Sequence, residues 1–119
     1  MPTDIKKIAP SASTNGRPIK VVATSTPGTL IHQAFTTTVT GCLDTMVASV
    51  YNSDTADRTI TFECGGTSSP DDHVKRTIPA GETVYVPLPG LNNNLNLRAF
   101  GSAANVLVVS GYVERITVS

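Results

Sequence analysis

The chain has no tryptophan, and its 119 residues include only three phenylalanines and three tyrosines. Indole platforms for stacking sugars or bases are therefore absent. Charge is equally sparse, at 15% of residues with a formal net of zero. Without a basic excess, no general nucleic-acid partner is expected. No apolar run approaches the length of a membrane span, so no membrane partner is expected either. Met1-Pro2-Thr3-Asp4 is not followed by the apolar core of a signal peptide, which predicts synthesis in the cytoplasm without secretion by that route. The two cysteines, Cys42 and Cys64, are far apart. Buried free thiols suit that spacing best, with a disulfide or a shared metal site as alternatives. A zinc site would want four ligands at tight spacing.

Catalytic chemistry is thin. His32 and His73 are the only imidazole bases, and no Gly-x-Ser-x-Gly elbow is present. Glu63, Glu82 and Glu114 occupy strand or turn positions that read as surface. Asp71, Asp72 and His73 are a conceivable cation cluster, but they lack the alternating oxygen ligands of a calcium loop. The expectation is a non-enzymatic protein without catalytic residues, metal or cofactor.

What is present is turn chemistry and alternation. Threonine, serine and asparagine are abundant and favour strands and turns over helices. The clearest signal is a hairpin over Thr45 to Cys64. Its return limb places Ile60, Phe62 and Cys64 on one face and Thr59, Thr61 and Glu63 on the other. Its outgoing limb, Met46 to Tyr51, is apolar on both faces, which predicts a central strand. Between them, Asn52-Ser53-Asp54-Thr55-Ala56-Asp57 reads as an ordered loop.

Further strands are predicted from Ile19 to Thr24, Thr29 to Phe35, His73 to Ile78, Thr83 to Leu88, Leu95 to Phe100 and Asn105 to Ile116, with Gly111 marking a bulge or close backbone approach. In all, eight strands are predicted, with no helical period. This gives an all-β, antiparallel eight-stranded β-sandwich of jelly-roll type over residues 18–119, a plain Greek-key sandwich being the alternative. Residues 1–17 break every period. They predict an extended N-terminal arm that orders on a partner, with Ile5 and Ile8 as apolar anchors and Lys6, Lys7 and Arg17 as cationic ones. A frayed tail is the plainer reading. Tyr51, Tyr85 and Tyr112 fall one per strand and read as amphipathic residues at the sheet margin.

The second half carries a resemblance. Its residues are Val50-Tyr51-Asn52-Ser53-Asp54 with Arg58-Thr59-Ile60-Thr61, then Gly65-Gly66-Thr67 with Pro70-Asp71-Asp72. Ile78-Pro79-Ala80-Gly81, Val86-Pro87-Leu88-Pro89-Gly90-Leu91, Leu97-Arg98-Ala99-Phe100, Ala103-Ala104-Asn105 and Gly111-Tyr112-Val113 follow in order. From about Thr45 to Ile116 the chain resembles a family of small β-sandwich virion proteins of tailed bacteriophages. The resemblance implies a structural role as a capsid decoration, or cement, protein on the virion. Its partners would be the major capsid protein and its own copies in a homotrimer or dimer. A head–tail connector, neck or tail protein is the alternative within that class. A carbohydrate-binding module is the alternative outside it.

Overall fold

A computed structural model describes residues 3–118; Met1 and Pro2 of the expected arm lie outside the described residues, as does Ser119. The described chain is all-β, with ten strands: β1 (Thr3–Ile8), β2 (Ile19–Lys20), β3 (Thr29–Gln33), β4 (Leu43–Asn52), β5 (Arg58–Cys64), β6 (His73–Ile78), β7 (Thr83–Pro87), β8 (Asn96–Gly101), β9 (Leu107–Ser110) and β10 (Val113–Val118). They form two antiparallel sheets in a sandwich-like arrangement. The first runs β1-β10-β4-β9-β2, with β7 on the remaining edge of β4; the second runs β3-β8-β5-β6.

Ten strands stand where eight were expected, for two reasons. The last predicted strand is broken at Gly111, whose φ of +129° suits glycine and whose missing side chain leaves room for the Val47 carbonyl. β9 and β10 therefore lie end to end along β4, at Ser49–Asn52 and Leu43–Met46 respectively. The second reason is β1. Six of the residues expected in a free arm pair in register with β10, from Thr3↔Val118 to Ile8↔Val113.

The core fills the space between the sheets. Phe62, Ile60, Ile31, Ile78, Val50 and Leu107 are fully enclosed, each contributing about 1.5–3 kcal/mol by burial. Ile60 and Phe62 are buried as their alternation predicts, but Thr61 and Glu63 on the other face of β5 are buried as well, so the strand is covered on both faces. β4 is central, as its composition predicts, but only one of its faces is covered. Met46, Ala48 and Val50 point inward, while Val47 and Tyr51 on the other face are 56% and 45% exposed. An antiparallel sheet can leave one face to solvent in this way. The β4–β5 loop is ordered by buried Asn52. Its Nδ2 donates to the carbonyls of Ala56 and Ile78, and its Oδ1 accepts from the Asp54 amide.

Candidate functional site

The residues expected to contact a partner fall in two places. β1 is bonded to β10 along one edge only, and no strand pairs with its other edge among the described residues. Alternation places Ile5 and Lys7 on the outward face of the first sheet, opposite Ile116 and Glu114. Ile5 is 57% exposed. Ile8 instead packs against the core and anchors the strand. Lys6 lies 3.9 Å from Asp4, with both side chains in solvent, where an ion pair adds little stability. Arg17 is apart from them, beside a shallow depression lined by Ala12, Ser13, Thr14 and Pro18. The fold thus gathers Ile5, Lys6 and Lys7 on one free sheet edge and leaves out Ile8 and Arg17.

The outward face of the first sheet continues from this edge. Tyr85 on β7 is 70% exposed, and Tyr112, in the break between β9 and β10, is 48% exposed. Together with Thr45, Val47, Ser49 and Glu114 they line a groove of about 360 Å³. Lys7 Nζ lies 5.1 Å from the Tyr112 ring centroid, within cation–π range. Glu114, expected at the surface, is half-buried in this groove.

Two buried polar clusters were not foreseen. Asp44, on the inner face of β4, accepts from His32 Nε2 at 2.7 Å and from Arg115 Nε and Nη2 at 2.9 Å each. His32 Nδ1 accepts the Ser11 amide at 2.9 Å. That bond fixes the tautomer, with the proton on Nε2 facing Asp44. Arg115 also stacks on Phe35, 4.4 Å from the ring centroid. Burial pulls the Asp44 carboxyl upward, but the Arg115 and His32 bonds outweigh it and hold the group below the usual carboxylate value. With both ring nitrogens bonded and the ring buried, His32 is a structural tie among Ser11, β3 and β4, not an accessible base.

The second cluster corrects a reading. Glu63 is not at the surface; it is wholly buried. It stands on the polar face of β5, but the Thr26–Gly28 loop folds over it. The Gly28 amide donates to Oε1 at 2.6 Å, and the Thr26 hydroxyl donates to Oε2. His73 Nε2 lies 3.8 Å from Oε2, too far for a hydrogen bond, and has no partner of its own. The loop reaches Glu63 because Gly28 lies flat on β8. A Cβ there would sit 2.6 Å from the Ala99 backbone.

Both cysteines are free thiols, Cys42 buried and Cys64 half-buried. Burial, helped by the Asp72 charge, pushes the Cys64 thiol up to about 11. At pH 8 it should carry on the order of a hundredfold less thiolate than an ordinary cysteine. Iodoacetamide should therefore leave Cys64 unlabelled in the native protein and label it in urea, as read by peptide mass spectrometry. Rapid native labelling would contradict that environment. Asp71, Asp72 and His73 do not converge. Asp72 Oδ2 accepts the Ser68 amide within its own loop, and no three potential metal ligands cluster among the described residues. No helix of the described chain is long and apolar enough to cross a membrane.

Comparison of the chain with protein-family models, with characterised proteins and with solved structures finds no match.

Proposed function

We propose that the protein is a non-enzymatic structural virion protein of a tailed bacteriophage, a capsid decoration protein that binds the major capsid lattice and stabilises the head. The observation that carries this reading is the free edge of β1, flanked by exposed Ile5, Lys6 and Lys7. An unpaired strand edge offers a row of backbone donors and acceptors to another chain. Adding a strand to such an edge is a recurring mode of protein recognition. The two lysines supply charge for an acidic neighbour, and Ile5 supplies an apolar contact.

The same reading takes the architecture as a jelly roll. β1 and β2 lie end to end beside β10 and β9, so each pair counts as one ribbon. The sheets then become four ribbons each. Numbered along the chain, their orders are 1-8-3-6 and 2-7-4-5, as in two interlocked Greek keys. A homotrimer, with a dimer as second choice, would seat such a domain where capsid subunits meet.

The test is rebinding to particles that lack the protein. An Ile5→Asp, Lys6→Glu double variant changes only exposed side chains, so it should fold normally, and it should decorate particles at least about tenfold more weakly, as two lost edge contacts imply. Wild-type binding should weaken at high salt. Quantitative mass spectrometry of virions should count hundreds of copies. A dozen or fewer would move the assignment to the neck or tail. Decoration by the double variant as tight as wild type would remove β1 from the interface.

A further inference from the structure

The tyrosines are far apart along the chain, yet the fold collects them on one surface. We infer that the groove between Tyr85 and Tyr112 is a binding site for one pyranose unit of a neutral sugar. The inference rests on this groove and not on the capsid reading.

The groove has two kinds of wall. Tyr85 and Tyr112 present exposed rings, with Val47 between them, 56% exposed. Aromatic rings are apolar on their faces and carry a polar hydroxyl at the rim. They match the C–H face of a pyranose and its ring of hydroxyls. The remaining lining is mixed: Met46 and Leu88 add apolar surface, and Thr45, Ser49 and Glu114 supply polar groups. Thr45 and Glu114 face each other across the β4–β10 ladder, and Ser49 faces Tyr85 across the β4–β7 ladder. Hydroxyls donate and accept, and a carboxylate accepts, so the lining offers both donors and acceptors to sugar hydroxyls. The volume of about 360 Å³ lies within the range of small-molecule sites. Tyr51, 45% exposed on the same face and two residues along β4 from Ser49, is placed to extend the platform to a second sugar unit.

Other occupants fit less well. An extended peptide would need a free strand edge, but β4, which floors the groove, is already paired on both sides with β7 and with β9 and β10. A purely apolar partner would strand the Thr45, Ser49 and Glu114 groups away from water, each at a cost. The Glu114 carboxylate disfavours an acidic sugar, and the nearby Lys7 cation stands opposite it in the β1–β10 ladder, so the pair offers an anion no net positive charge.

The test is a titration of the full chain with glucose, galactose, mannose, N-acetylglucosamine and their short oligomers, followed by amide chemical shifts and by a glycan array. At least one neutral sugar should bind, shifting the amides of residues 45–49, 85 and 112 and giving a stronger response as an oligomer. Tyr85→Ala and Tyr112→Ala should each weaken it about tenfold, the loss of one stacked ring. Both rings are largely exposed, so both variants should keep the wild-type circular dichroism and melting temperature. Ile5→Asp, on the strand edge, should leave sugar binding unchanged while weakening particle binding, which separates the two proposals. Failure of every neutral sugar to bind, binding of acidic sugars only, or binding that survives both tyrosine substitutions would overturn the inference.

Discussion

Asp44→Ala is expected to lower the free energy of unfolding by about 3–5 kcal/mol, the scale for removing one member of a buried ionic cluster. The carboxylate joins β4 to β3 through His32 and to β10 through Arg115. Its loss leaves the buried His32 Nε2–H without an acceptor and leaves Arg115 to find water from a partly covered position. Urea unfolding of the two proteins measures the difference. A loss below about 1 kcal/mol would mean that the cluster only replaces solvation it has forfeited. The same group sets an acid limit. Its folded pKa lies below the ordinary carboxylate value, so the unfolded chain takes up its proton first as pH falls. The stabilisation is complete above the unfolded value of about 3.9 and is lost as pH drops through the folded value. Asp44→Asn should therefore be less stable at neutral pH and show a flatter fall in stability below about pH 4. An unchanged acid limb in that variant would place the limiting titration elsewhere.

Glu63→Ala is expected to cost about 1–3 kcal/mol, the penalty for one buried donor left without an acceptor, while a second, exposed donor turns to water. The donors are the Thr26 hydroxyl and the Gly28 amide, both in the loop that covers the second sheet. Hydrogen exchange adds a positional readout, since the Gly28 amide should lose its protection in the variant while the Phe62 amide keeps most of its own. Glu63→Gln retains one carbonyl acceptor and should cost less than the alanine. If alanine were as stable as wild type, the loop would be held by its contacts with β8 alone.

The parts of this molecule that were legible along the chain are those set by neighbours in sequence. Ile60 and Phe62 alternate with polar residues, and their burial follows. Asn52 and Asp54 order their loop through local bonds. Glu63 misled because strand alternation reports the face and not what covers it. Its cover comes from Thr26 and Gly28, far upstream. Asp44 gave no signal, since its partners come from β3 and the end of the chain. The segment Thr3–Ile8 lacks alternation, and only Ile8 packs on the core. It is a strand because β10 supplies the matching ladder, which no local pattern in the segment announces. Tyr85 and Tyr112 likewise look scattered until a sheet register sets them on one surface.

The β1–β10 ladder has a consequence in time. Thr3 meets Val118, so this pairing closes a loop of nearly the whole chain. The entropy of that closure grows only slowly with length, but contacts of such separation come late and slow a fold that depends on them. β1 leaves the ribosome before β10 and must wait for it before its hydrogen bonds have a partner. The sandwich can assemble around Phe62 in the interval, with the opening residues of the chain the last to find their place.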